Sequence, residues 1–324
     1  MTIFLCLALI APTQAASAND DYLRAAAIVA NGSAELKPIV EGNVLEWSRK
    51  ATEKYGSALD WVKAGNQKPF VLLERRSLNG EFPELAGFRS LGFLFEAKVF
   101  EHIADGKPNQ AANALIDALT FGRRVQSIGT IGHIVGSQII ERNLRMFDLN
   151  RRAFVEEGLE KLTKLELIQS IPSDKMAFDV EFLAFGKYNE IERLSPTERT
   201  EVLARIEALK RGTEAQLARE EAYWKWGSED PAPEALAGLE VALEVTWARA
   251  LVIRTKLRLL TATSKILLHD VRNYKLPDVI TEVHDPATGK PFFFGKRDDA
   301  FVMYSEGVEK TGRIELGTLW NRER

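Results

Sequence analysis

The sequence predicts an all-α protein of antiparallel helical hairpins, arranged in a bundle or a short array, with a small β-hairpin at the C-terminal end. Apolar residues recur at steps of three and four over most of the chain, which is the period of one helical face. Beyond Pro277 this pattern gives way to short aromatic and β-branched runs, which favour strands. We therefore expect a helical domain at residues 19–277 and a hairpin tail at 278–324, after a leader at 1–18.

The leader has the pattern of a secretory signal peptide. Residues 3–11 form an uninterrupted apolar run, followed by Pro12 and by small residues that suit cleavage near Ala15 or Ala18. The usual basic residues before the run are missing, so a buried helix is the alternative. The expected location is periplasmic or extracellular. Cys6, the only cysteine, lies in the leader, which excludes disulfides, thiol catalysis and cysteine-bound metals from the mature chain.

Length and charge narrow the classes of function. The 324 residues suffice for one large or two ordinary domains. The formal net charge is −3, and no run of Lys and Arg collects on one segment, so nucleic acid binding is not expected. No segment reaches the ~20 consecutive apolar residues of a membrane-spanning helix.

Two helices are predicted before the centre of the chain. Asn19 and Asp20 can cap the first, which stops near Asn31 and Gly32. The second covers residues 38–64. Two prolines and an Asn-Gly pair then predict a connection at residues 68–83.

The centre of the chain, residues 84–150, holds two apolar periods joined by a polar turn at residues 106–109. Such a pattern predicts a helical hairpin. Ala97, Gly106 and Ala112 fall where a tetratricopeptide unit places small residues. We find one such unit, and stacked repeats need several, so a plain hairpin is favoured over a repeat array.

The remaining helices follow from the same periodicity. They are predicted at residues 151–170, 173–194, 197–226 and 234–273. Ser173 and Ser195 are candidate caps. Before them, residues 128–140 are uncharged, and Gly132 and Gly136 lie one helical turn apart. We interpret these glycines as a close approach between two helices inside the core.

The tail is predicted to form strands at residues 291–296 and 301–305. A structural turn precedes them. The Asp285 side chain can accept backbone N–H groups, Pro286 fixes the first corner, and Gly289 can adopt positive φ at low cost, ahead of Pro291.

This tail resembles one found in many exported bacterial proteins of unknown function. The resemblance rests on Leu276-Pro277, on Asp285-Pro286-Ala287-Thr288-Gly289-Lys290-Pro291-Phe292 and on Phe301-Val302-Met303-Tyr304-Ser305-Glu306-Gly307. It extends to Leu85-x-x-Phe88-Arg89, Gly106, Leu115 to Gly122-Arg123 and Ala248-Arg249 in the helical part. The tail is also distantly similar to the C-terminal sheet of type II secretion major pseudopilins. Their long apolar assembly helix and acidic calcium loop have no counterpart here, so neither filament assembly nor a calcium site is implied.

Candidate catalytic and metal-binding residues are few. His133 and Glu141 share an apolar segment, but two helical turns separate them and no third ligand is near, so a core histidine is favoured over a metal site. Asp179 and Glu181 lie among phenylalanines, where burial would raise the pKa of a carboxyl group. A buried Glu181 paired with an arginine such as Arg249 is the favoured interpretation.

The other histidines suggest no chemistry. His269 and Asp270 are adjacent, which separates their side chains on a helix, and His284 is expected to be exposed. No nucleophile elbow, Walker loop, dinucleotide fingerprint or zinc-protease motif occurs. We therefore predict no cofactor and no metal.

Two classes of function remain. The first is a non-enzymatic module that binds a protein or peptide partner in the cell envelope, which exposed aromatic residues such as Trp224 and Trp226 would favour. The second is a hydrolase of cell-envelope material, with Glu181 and Glu244 as its candidate acids. Two carboxyl groups roughly 5–9 Å apart in one pocket would support the hydrolase.

Overall fold

The computed structural model describes residues 17–37, 43–69, 83–165, 168, 171, 175, 177–178, 194–219, 234–273, 283–297, 300–308 and 311–321. Over these residues the protein is mostly helical, with a small antiparallel sheet near the C-terminal end. The predicted helical class is confirmed. The leader up to residue 16, most of the predicted helix at 173–194 and the predicted break at 227–233 lie outside the described residues.

Helix α1 spans Ala18–Val29 and continues into a 3-10 turn at Ala30–Gly32. Ser17 is its N-cap: the Ser17 Oγ accepts from the Asp20 N–H at 3.3 Å, and the Asp20 carboxylate accepts from the Ser17 N–H at 2.7 Å. This reciprocal pair is a capping box. The prediction that Asn19 and Asp20 cap this helix was therefore wrong, because both residues lie inside it and Asp20 is its third residue.

The single helix predicted at residues 38–64 is two helices, α2 at Val44–Tyr55 and α3 at Ser57–Asn66. The break is at Gly56, whose carbonyl accepts from the Leu59 N–H at 2.9 Å, a three-residue step. A glycine tolerates such a local tightening of the helix.

Three long helices form the middle of the protein: α4 at Pro83–Ala104, α5 at Pro108–Gln126 and α6 at Gly129–Asn150. The turn between α4 and α5 was correctly predicted. Gly106 has φ +68°, and its N–H donates to the Ile103 carbonyl at 3.1 Å. The backbone N–H of Lys107 donates to the backbone carbonyl of His102 at 2.8 Å. These two bonds form the Schellman motif that commonly ends a helix at glycine.

Beyond α6 the chain makes a 3-10 turn at Arg151–Ala153 and a short helix, α7, at Glu156–Leu162. The prediction of one longer helix at residues 151–170 was wrong at its start, because α7 begins only at Glu156. Phe154 adopts an extended backbone and packs its ring 5.1 Å from that of Phe147, so burial of this side chain interrupts the helix.

Two further helices, α8 at Pro196–Arg219 and α9 at Glu234–Asn273, agree with prediction in position. Ser195 caps α8: its Oγ accepts from the Glu198 N–H at 3.4 Å, and the Glu198 carboxylate accepts from the Ser195 N–H at 3.0 Å. The described part of α8 ends before the predicted residue 226. None of the helices in the described ranges carries a stretch both long and apolar enough to cross a membrane.

The sheet contains three antiparallel strands in the order β1-β2-β3, at Phe293–Arg297, Ala300–Ser305 and Ile314–Asn321. Only the first two were predicted. Phe293 pairs with Tyr304, and Ser305 pairs with Ile314. The third strand completes the sheet and was missed because a loop separates it from the hairpin.

Two hydrophobic cores meet along α5 and α6. One joins these helices to α1–α4, where the Phe121 ring contacts the rings of Tyr22 and Phe88 at 5.1 and 5.5 Å. The other joins them to α7, α9 and the tail, which contributes Phe292 and Met303 among others. The tail therefore shares a core with the helices.

Candidate functional site

A cleft lies between the segment that follows α1 and one face of α2. Its volume is about 620 Å3, within the roughly 300–1,000 Å3 range common for ligand sites. Its lining residues are Glu35, Asn43, Glu46, Trp47, Lys50, Ala51, Glu53, Lys54 and Tyr55. We call it the α2 cleft.

Helical periodicity explains why these side chains share one side of α2. Positions 46, 50 and 53 follow at steps of four and three, as do positions 47, 51 and 54. The first row is charged. The second begins with Trp47, continues with the buried Ala51 and ends at Lys54, so the first turns of α2 present apolar surface beside the charged stripe.

Glu35 joins the two walls of the α2 cleft. Its carbonyl accepts from Trp47 Nε1 at 3.0 Å, while its carboxylate accepts from the Tyr55 hydroxyl at 3.0 Å and from Lys54 Nζ at 2.7 Å. Gly32 leaves room for this arrangement, because a Cβ there would lie 2.2 Å from the Tyr55 hydroxyl oxygen. The walls are thus tied together by three hydrogen bonds.

Two ion pairs neutralise most of the charge in the cleft. Lys50 Nζ lies 2.7 Å from Glu46 Oε1, and its hydrogen bond lowers the pKa of Glu46. The Lys54 hydrogen bond, assisted by Tyr55, lowers the pKa of Glu35 in the same way. Each lysine has its own pKa raised by its carboxylate partner. All four groups are therefore charged at neutral pH.

Glu53 is different, because it has no hydrogen bond or ion pair with any of the residues described. The lining carries three carboxylates and two ammonium groups, so one carboxylate is in excess. Glu53 is exposed on the charged stripe of α2. The α2 cleft therefore combines an apolar surface with one uncompensated negative charge.

The back of α2 is fastened to α4. Thr52 is buried and its hydroxyl donates to Glu101 Oε2 at 2.5 Å, while Arg49 Nη2 lies 2.8 Å from Asp105 Oδ1. These contacts hold the helix from the side opposite the cleft. The backbone of α2 is therefore held in place by contacts that lie outside the cleft.

Of the two predicted acids of a hydrolase, one lies among the described residues. Glu244 lies half-buried on α9. Glu181, and Asp179 beside it, lie outside the described residues, as do Trp224 and Trp226. The separation of the two candidate carboxyl groups is therefore not defined, and the hydrolase stays a hypothesis.

His133 and Glu141 occupy different surroundings on α6. His133 is fully buried, as expected of a core histidine. Glu141 Oε1 accepts from Lys256 Nζ on α9 at 2.8 Å, so this carboxylate links two helices. Within the described ranges, no group of three or more His, Cys, Asp or Glu side chains could hold a metal ion.

Other candidates lie at the end of the helical part and in the tail. His269 and Asp270 are half-buried near the end of α9, and Arg249 is half-buried nearer its start. His284 is exposed, and its backbone bridges to Pro291. These positions do not converge on the α2 cleft, whose lining contains none of them.

The turn of the tail is organised by Asp285, which is 1% exposed. Its carboxylate accepts from the Ala287 N–H at 2.8 Å, the Thr288 hydroxyl at 2.7 Å and the Ser305 hydroxyl at 2.7 Å. Gly289 has φ +68° and donates to the Asp285 carbonyl at 2.8 Å. Pro286 and Pro291 lie within and just after this turn. These contacts fix strand β2 to the turn and are structural.

A buried polar cluster at the junction of α5 and α6 was not predicted. Arg123 is 2% exposed; its Nη1 donates to Gln126 Oε1 at 2.8 Å and its Nη2 to the Ile171 carbonyl at 2.9 Å. Gln126 then donates to the Ser137 hydroxyl at 2.9 Å. The sequence feature that could have indicated this cluster is the arginine pair directly after Gly122, on a helix with an apolar face.

Comparison with known proteins gave no match, whether to protein-family models, to curated proteins or to solved structures. The resemblance of the tail to exported bacterial proteins and to pseudopilins therefore stays a hypothesis. The function has to be argued from the geometry of the α2 cleft.

Proposed function

We propose that this protein is a non-enzymatic module of the cell envelope that binds a protein or peptide partner, and that the α2 cleft is its binding site. The observation that carries this proposal is a cleft of about 620 Å3 whose walls are tied together by Glu35. A cleft held in place by its own hydrogen bonds loses less entropy when a ligand binds.

The chemistry of the cleft supports a peptide ligand. The half-buried Trp47 offers apolar surface, and aromatic residues are typical anchors at protein interfaces. The ion pairs of Lys50 and Lys54 leave the cleft with little net charge, which favours a partner with few charges of its own.

Export is the second part of the proposal. We retain cleavage near Ala15 or Ala18, and the cap of α1 favours the earlier site. Cleavage after Ala15 leaves Ser17 to complete the capping box, whereas cleavage after Ala18 removes both the cap and a fully buried alanine. We further propose that the helices pair as antiparallel hairpins in a bundle, as the packing of α4, α5 and α6 suggests.

A photo-crosslinking experiment tests the binding site. A photoreactive amino acid replaces Lys50 in the α2 cleft, or, as the control, Lys164, which lies just after the end of α7. Both lysines are exposed partners in ion pairs between residues four apart. We expect a protein or peptide adduct at position 50 and none at position 164, identified by mass spectrometry of protein purified from the producing cells.

Three outcomes would contradict the proposal. Equal labelling at positions 50 and 164, or no adduct at position 50, would reject the α2 cleft as the binding site. Release of soluble fragments from cell-wall material by the wild type, but not by Glu181→Gln or Glu244→Gln, would favour the hydrolase instead. The same spectra identify the first residue of the mature chain and so test export.

A further inference from the structure

The α2 cleft has a charge pattern that selects among peptides, an inference that rests on the proposed function. Its lining contains two carboxylates with lysine partners and one, Glu53, without any partner in the part of the chain that the structure describes. A ligand that places a positive charge near Glu53 gains an ion pair and breaks none.

An anionic ligand would meet the opposite situation. Glu46 and Glu35 lie 2.7 Å from the ammonium groups of Lys50 and Lys54, so an anion that approaches either lysine also approaches a carboxylate. Repulsion from that carboxylate offsets the attraction of the lysine. The cleft therefore disfavours acidic peptides.

The apolar part of the cleft indicates which basic side chain of a peptide would fit best. Trp47 is half-buried and lies one helical step from Ala51, so a ligand side chain must cover apolar surface as well as carry charge. A long basic side chain has an apolar stem, and a planar guanidinium can also stack on an indole ring and bind a carboxylate with two parallel hydrogen bonds.

We propose that the α2 cleft binds peptides through an arginine side chain, with the guanidinium paired to Glu53 and the apolar stem against Trp47. Neighbouring apolar side chains of the peptide occupy the remaining volume. The surrounding ion pairs of Lys50 and Lys54 remain intact in the complex.

Three probe peptides test this: acetyl-Ala-Leu-X-Leu-Ala-amide, in which X is arginine, citrulline or glutamate. Citrulline keeps the shape of arginine and removes its charge. Binding is followed by the indole N–H resonance of Trp47, assigned with a Trp47→Phe variant, in low-salt buffer. We expect arginine to bind about fivefold tighter than citrulline, as for an exposed ion pair with an aromatic contact, and glutamate to bind weakest.

The variant Glu53→Gln should abolish the preference for arginine over citrulline. Glu306→Gln removes the same charge from an exposed position in the tail and should leave the preference unchanged. If all three peptides bind equally, or glutamate binds best, arginine selection is wrong while peptide binding stands. If none binds, arginine recognition is wrong, and the crosslinking experiment alone decides whether the cleft binds a partner.

Discussion

Arg124 on α5 donates a hydrogen bond of 2.9 Å to the main-chain carbonyl of Gly65 at the end of α3. The same guanidinium donates to the carbonyls of Lys68 at 2.9 Å and Asn66 at 2.8 Å. The last carbonyls of a helix have no partner within the helix and carry partial negative charge. Arg124 therefore caps α3, although it follows Gly65 by 59 residues along the chain.

Replacing Arg124 by alanine should lower the free energy of unfolding by about 3 kcal/mol, because three half-buried carbonyls lose a charged donor. The measurement is urea denaturation followed by circular dichroism. Arg49→Ala is the control, since Arg49 is 57% exposed and forms an ion pair with Asp105 on the surface. Its effect should stay below about 1 kcal/mol. Equal effects of the two changes would show that capping of α3 contributes little.

Gly136→Ala should push α5 and α6 apart. A Cβ at this position would lie 2.4 Å from the Gly122 carbonyl oxygen and 2.6 Å from the Gln126 nitrogen, both backbone atoms. Overpacking of this kind typically costs about 1–3 kcal/mol, which chemical denaturation can measure. Gly158→Ala is the comparison, because the nearest atom to its Cβ would be the methyl carbon of Ala112, at 3.3 Å, and its next neighbours would lie at 3.6 Å. A Gly136→Ala variant as stable as the wild type would mean that the two helices are less tightly packed.

The half-buried carboxyl group of Asp117 should make the free energy of unfolding depend on pH. Burial raises the pKa of this carboxyl, and the hydrogen bond from Asn66 and the charge of Lys63 only partly oppose the effect. Because the folded pKa lies above the unfolded one, ionisation of Asp117 costs stability at neutral pH. This cost should fall as the pH drops through the raised pKa, and it vanishes below the ordinary value of 3.8.

Asp117→Asn should accordingly be more stable than the wild type at pH 7, and the difference should shrink on acidification towards pH 3.8. The amide oxygen of asparagine can still accept from Asn66, which now donates to Asp117 Oδ1 at 3.3 Å. Thermal unfolding at several pH values gives the comparison. Asp60→Asn, on the exposed side of α3, measures the effect of removing one charge from the same region. A constant difference between wild type and Asp117→Asn at every pH would refute this explanation.

Asp285→Ala should destabilise the tail by about 2–4 kcal/mol, because three donors then lose a buried charged acceptor. Hydrogen exchange of the β2 amides would show whether the loss is local. Glu306→Ala changes an exposed neighbour of Ser305 and should have little effect. Unchanged protection of β2 in Asp285→Ala would mean that the core, not the turn, holds the sheet in place.

Local sequence signals were sufficient for the elements whose partners are close in the chain. The bounds of α9 at Glu234–Asn273, the turn at Gly106 and the Ser195 cap of α8 all depend on residues within about one helical turn. Periodicity, glycine and capping residues are local signals of this kind. The break at Gly56 and the extended Phe154 were missed, because the apolar residues on either side of both positions keep helical spacing and periodicity alone does not show the interruption.

By itself the sequence determined the helical class, the order of most helices, the hairpin turn at Gly106 and the polar turn at Asp285, since each follows from a short periodic or turn-forming pattern. Only the tertiary structure decided which residues form the α2 cleft, which arginine caps α3 and that a third strand completes the sheet. Those features join groups far apart in the chain, such as Arg124 and Gly65. Long-range contacts depend on how helices pack, and a pattern along one segment carries no information about a partner in another.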